Sequence, residues 1–198
     1  MSEIYIIMGK SATGKDTLYR EVMERLDGRA QRIVTYTTRP MRDGEKNGRD
    51  YIFSNDNEVT AFKEQGRIIE MRTYDTVYGP WHYFTLDDGQ IETDGDKKYV
   101  IINTLEAYRH YVEYYGRRMV VPIYIEISEK ERIHRAMHRE DEQEVGKYTE
   151  MCRRFLADEE DFAEEKLAEA GITAADRYDN TELEPCVERI VNRILAGN

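Results

Sequence analysis

The stretch from Met8 to Leu18 reads MGKSATGKDTL, and its spacing suits one kind of chemistry. Gly9 and Gly14 bracket Lys10, Ser11, Ala12 and Thr13, whose backbone N–H groups can turn inward around an anion. Lys15 follows, where a cation reaches the outer phosphates of a nucleoside triphosphate. Behind it stand Asp16 and Thr17, a carboxylate and a hydroxyl that can serve magnesium. A second polar group lies in TTRPMRDGEKNGRDYIF, where Arg39, Arg42 and Tyr51 offer two guanidinium forks and a phenol, a set that suits a phosphate dianion. Glu70 breaks the apolar run begun by Ile68 and Ile69 with a carboxylate able to accept two donors from a base edge. Arg135 and Arg139, four apart on one helical face, and Arg154 beyond them form a third cationic group. Together these residues point to two phosphorylated ligands, one on the loop and one over the arginine segment.

The elements that must hold these groups are legible as alternating strands and helices. Ile4–Ile7 is an apolar run feeding the loop, and Leu18, Val22, Met23 and Leu26 share one face of the helix after it. Residues Arg32–Tyr36 read as a second core strand. Residues 37–55 are rich in turn signals, Asn57–Gln65 reads as a short helix stopped by Gly66, and Arg67–Thr73 and Val77–Leu86 read as strands of the same insertion. The core resumes with a strand at Tyr99–Ile102, a helix at Leu105–Tyr115 stopped by Gly116, and a strand at Val120–Ile127. Ser128-x-x-Glu131 opens a helix toward Arg139, Lys147–Ala170 reads as one long helix, and a Thr181-x-x-Glu184 box starts the last. Strands alternating with helices around a phosphate loop predict an α/β fold with a parallel core sheet, ligands lying beyond the carboxyl ends of its strands.

Composition narrows the partners. A net charge of -11 with 35% charged residues disfavours a general nucleic-acid or anionic-membrane surface. Two cysteines, Cys152 and Cys186, without paired spacing, suggest idle thiols in a reducing cytoplasm, and no apolar run reaches membrane length. His134 and His138 have a metal-like spacing but no third ligand, and read as surface residues.

The chain resembles the guanylate kinase family of P-loop nucleoside monophosphate kinases. The resemblance rests on the phosphate loop and on TTRPMRDGEKNGRDYIF, which is similar to that family's T-T-R-x-x-R-x-G-E-x-x-G-x-D-Y-x-F. It implies a P-loop NTPase fold in three parts: a core (1–35, 98–127 and 153–198), a monophosphate-binding insertion (36–97) and a lid (128–152). It implies transfer from ATP, with Mg2+, to GMP. Arg39, Arg42, Tyr51 and Tyr78 would hold the acceptor phosphate, Thr35 and Glu70 would face the base, and Arg135, Arg139 and Arg154 would be the lid arginines. The departures are Asp16 after the lysine, Pro80 after Tyr78-Gly79, a longer lid, and Asn103 where the family has an aspartate reading the guanine amine. Asp16 and Asn103 resemble instead ribose 1,5-bisphosphate phosphokinase, the alternative enzyme. A guanylate-kinase-like scaffold module, lacking a working phosphate loop, is the non-enzymatic alternative, against which Lys15 argues.

Overall fold

In the computed structural model, which describes residues 1–76 and 78–197, the first apolar run forms β1 (Glu3–Met8), buried along its whole length. Its side chains alternate between two cores: Ile4, Ile6 and Met8 face one, Tyr5 and Ile7 the other. The loop leads into α1 (Lys15–Leu26) and then β2 (Gln31–Arg32). The chain next builds a separate layer from β3 (Tyr36–Thr37), β4 (Ile52–Phe53), α2 (Asp56–Glu64), β5 (Ile68–Thr76) and β6 (Gly79–Leu86). It returns through β7 (Lys98–Ile102), α3 (Leu105–Tyr115), β8 (Val120–Glu126), α4 (Glu129–Asp141), α5 (Tyr148–Asp161), α6 (Glu164–Glu169), β9 (Arg177–Asp179) and α7 (Leu183–Ala196).

The core sheet runs β2-β7-β1-β8-β9, and every pairing in it is parallel. One core is filled by Leu105, Tyr108 and Tyr111 of α3 with Phe162 and Leu167, the other by α1 and by Val187, Ile190 and Ile194 of α7. Helices on both faces explain why β1, β7 and β8 read as continuous apolar runs. The second sheet runs β4-β3-β6-β5, and β6 pairs antiparallel with both β3 and β5. Its small core holds Val59, Phe84 and Leu86, with Tyr36, Phe62, Ile68 and Met71 packed against them.

Several expected elements come out differently. The strand expected at Arg32–Tyr36 is divided: Gln31–Arg32 pairs with β7, whereas Tyr36–Thr37 joins the second sheet, because Tyr36 stacks on Phe84 at 5.3 Å. The helix expected across Lys147–Ala170 breaks at Phe162, which leaves helical geometry (φ -115°) and buries its ring 5.7 Å from that of Tyr124. Residue 152 lies within α5. The last helix has no capping box, since Thr181 bonds to Asp179 instead. Strand β9 is too short to show a period. Of the strand expected from Val77, Val77 itself lies outside the described residues, and pairing starts at Gly79. Among the described residues no helix is long and apolar enough to cross a membrane.

Candidate functional site

The loop between β1 and α1 is shaped by two close approaches. A Cβ on Gly9 would stand 2.4 Å from the Ile125 carbonyl oxygen of β8, and one on Gly14 would stand 2.7 Å from Asn180 Nδ2. Gly14 also takes a left-handed φ of 83° as it opens α1, and Ala12 takes 63°, a conformation costing an alanine about 1 kcal/mol. The loop is pulled shut on one carbonyl, that of Lys10, to which Thr13 Oγ1 donates at 2.9 Å and Lys15 Nζ at 3.3 Å. Asn180 Nδ2 donates to the Thr13 carbonyl at 2.8 Å. Burial lowers the Lys15 pKa, and the Arg139 and Arg132 charges act in the same direction, while Asp16 and Asp158 oppose it. A cation held among other cations is poised for an anion. Asp16 and Thr17 are exposed at the start of α1, where their oxygens fit an ion that takes most of its ligands from water and phosphate. Among the described residues no cluster of three or more acidic, His or Cys side chains makes a metal cage.

The arginine segment forms a second nucleus. Arg39 is buried, its fork closed on Glu45 at 2.8 and 2.5 Å and its guanidinium 4.9 Å from the Tyr51 ring centroid. The pairing holds the Glu45 pKa down at about 2 and raises that of Arg39. Arg42 is exposed, and its backbone N–H donates to the same carboxylate at 2.8 Å. Tyr83, not anticipated from the sequence, packs edge-on to Tyr51 at 5.8 Å. Tyr78 stands apart from this group. It is 83% exposed at the tip of the β5–β6 hairpin and stacks on Trp81.

Glu70 is buried where β5 meets the core. Its Oε1 accepts from Thr85 Oγ1 at 2.9 Å and Asn103 Nδ2 at 3.5 Å, and its Oε2 accepts from Arg72 Nε at 3.1 Å. The structure joins Glu70 and Asn103, with Asn103 acting as the donor and its oxygen accepting from the Thr104 N–H at 3.0 Å. Thr35 is half-buried, and its carbonyl accepts from Ile52 N.

The third cationic group divides. Arg135 lies beside Gly14 of the loop and donates to the Asn180 and Thr181 carbonyls. Arg139 and Arg154 line a cleft of about 310 Å³ with Lys147, paired respectively to Glu140 and Glu150. The two arginines of α5, Arg153 and Arg154, hold the Glu150 pKa at about 2. A further contact carries no sequence signature: Asp158 of α5 accepts from the Ser11 N–H at 2.8 Å, and Glu159 pairs with Lys10 at 2.6 Å. Between α4 and α5 lies Arg132, fully buried, donating to Glu129 and Glu159 with its plane 4.1 Å from the Phe155 centroid.

Known proteins resemble the chain in two ways. The family model for guanylate kinase matches residues 1–87. Guanylate kinase from Nitrobacter winogradskyi is 38% identical over 77 residues, covering 38% of this chain and 35% of that one. For the Thermotoga maritima guanylate kinase the identity is 35% over 83 residues, covering 41% of this chain and 40% of the relative. The Streptococcus pneumoniae R6 guanylate kinase is 36% identical over 101 residues, covering 46% and 49%. The matched part thus spans less than half of each of these relatives. The crystal structure of guanylate kinase from Anaplasma phagocytophilum superposes with a TM-score of 0.60 at 20% identity, over 98% of this chain and 85% of that chain.

Proposed function

We infer that this chain, whose first 87 residues match the guanylate kinase family model and whose fold is that of a solved guanylate kinase, transfers the γ-phosphoryl group of ATP to GMP, giving ADP and GDP. One observation carries the reading: a phosphate loop closed around Lys15 and an arginine segment anchored by the buried Arg39 occur on one chain, inside the stretch that matches the family model. In this reading the donor's phosphates lie along Gly9–Thr17, and the acceptor's phosphate meets Arg39, Arg42 and Tyr51, with Tyr78 joining from the hairpin tip. Thr35, Glu70 and Asn103 face the base. The acceptor oxygen is already ionised, so no general base is needed, and the work is positioning and charge neutralisation by Lys15, Arg135, Arg139 and Arg154. Mg2+ would be held by Asp16 and Thr17 with the phosphates, and when bound it neutralises phosphate charge. We assign residues 36–97 as the acceptor-binding insertion, 128–152 as the lid, and the rest as core. The protein would act in the cytoplasm on small nucleotides rather than on nucleic acid or membrane.

The test is a coupled phosphoryl-transfer assay with ATP and Mg2+ against GMP, AMP and ribose 1,5-bisphosphate. GMP is expected to be used best. Preference for the bisphosphate would replace this reading with the sugar-phosphate one, and AMP matching GMP would remove Glu70 from the base-reading role.

A further inference from the structure

Arg72 is not among the residues that the phosphate loop or the arginine segment brings to notice. It lies on β5 two residues after Glu70, on the same face of the strand, and its side chain is only 15% exposed. Its Nε occupies Glu70 Oε2 at 3.1 Å, while Thr85 and Asn103 both donate to Oε1. A carboxylate offers about four lone-pair positions, so three are spoken for before any ligand arrives. The buried Tyr111 hydroxyl borders the same group, with Thr85, Glu70 and Arg72 among the groups that act on it. Arg72 also lines a cleft of about 410 Å³ between β5 and the start of α3, beside Thr104 and Leu105.

Reading guanine with a carboxylate takes two acceptors side by side, one for the ring N1–H and one for the 2-amine. Here a single acceptor position remains on Glu70, and the place of the second is taken by a cation that is itself a donor. The N1–H is common to guanine, hypoxanthine and xanthine. Only the 2-position tells them apart, as amine, hydrogen or carbonyl. Guanidinium N–H groups favour a carbonyl there, tolerate hydrogen, and gain nothing from an amine. Resting on the monophosphate-kinase reading above, we propose that Arg72 makes the acceptor site indifferent to the 2-amino group, so that its substrates are the 6-oxopurine nucleoside monophosphates as a class, GMP, IMP and XMP, and not GMP alone.

The experiment compares kcat/KM for GMP, IMP and XMP with saturating ATP and Mg2+. In the unaltered protein IMP and XMP are expected within about tenfold of GMP, whereas a site that pairs the amine rejects its absence by a hundredfold or more, on the order seen for buried polar recognition. Arg72→Ala, which frees Oε2 for the amine, should raise the GMP-to-IMP ratio at least about tenfold, a charge-assisted hydrogen bond's worth. Arg72→Lys keeps a donor cation against Glu70 and should leave the ratio near that of the unaltered protein, which also covers the case in which the alanine variant does not fold. Strong rejection of IMP by the unaltered protein, or an unchanged ratio in folded Arg72→Ala, overturns the proposal while the kinase reading stands. No transfer to GMP itself overturns the kinase reading, and this proposal with it.

Discussion

Glu45 supplies Arg39 with the planar pair of acceptors that a phosphate would otherwise have to bring, and so fixes the fork before a ligand is present. Glu45→Gln keeps the shape but gives up one acceptor and the charge, and is expected to raise KM for GMP several-fold with a smaller change in kcat, as steady-state kinetics would show. The pH dependence follows from the same pair. The folded pKa of Glu45 is depressed to about 2 from its ordinary 4.5, so the pair's contribution is fully present above pH 4.5 and is lost as pH falls through about 2. Assays between pH 5 and 8 should therefore show no titration of Arg39's anchor. Lys15→Ala should lower kcat by roughly a thousandfold while thermal unfolding remains cooperative. The two glycines and the lysine of the loop were legible because only those residue types suit that backbone and that charge. The partners of Arg39 and Glu70 were not, because an ion pair between residues six apart in a hairpin, or two apart on a strand, has no period in the sequence.

At the scale of elements, α5 deserves comparison with the helix the sequence suggested. Apolar spacing alone carries the helix on to residue 170, and what stops it is a tertiary contact, Phe162 turning into the core against Tyr124. The resulting helix carries Arg154 on the cleft and Asp158 on the loop, so that the cationic group and the phosphate loop share one rigid piece. Arg132 is the joint between α4 and α5. Its charge is buried among Glu129, Asp158 and Glu159 over the Phe155 ring. Removing one partner of a buried ion pair typically costs about 3 kcal/mol, and the carboxylate that loses its counter-charge in place is Asp158, 13% exposed, since Glu129 and Glu159 are more than half exposed to water. Arg132→Ala is therefore expected to lower the unfolding free energy by that measure, read as a lower urea midpoint with the slope unchanged. A variant as stable as the parent would show that the carboxylates are satisfied by Lys10 and Ser11 alone.

The whole molecule is two packed bodies of unequal size. The parallel sheet is covered on both faces, but the second sheet relies on a core whose buried members are Val59, Phe84 and Leu86. That division was readable from the turn-rich composition of residues 37–55, although the point of departure was not, since the β-branched Ile33, Val34 and Thr35 before it lie in neither sheet, with Arg32 paired in one and Tyr36 in the other. A small core gives low local stability, and elements that move on ligand binding are drawn from that end of the range. Phe84 is fully buried, stacked on Tyr36 and 6.3 Å from the Phe62 ring, so Phe84→Ala should remove about 3–5 kcal/mol from the second sheet with little to collapse into the gap. The single tryptophan, Trp81, lies on β6 of that sheet and reports on it alone, whereas far-ultraviolet circular dichroism is dominated by the helices of the core. In urea, the Trp81 fluorescence transition of Phe84→Ala should fall below the dichroism transition. The variant should still bind ATP on the loop while losing affinity for the monophosphate. Coincident transitions in the variant would mean that the second sheet draws its stability from the core, through Glu70–Asn103 and the packing of α3 on β5, and unfolds only with it.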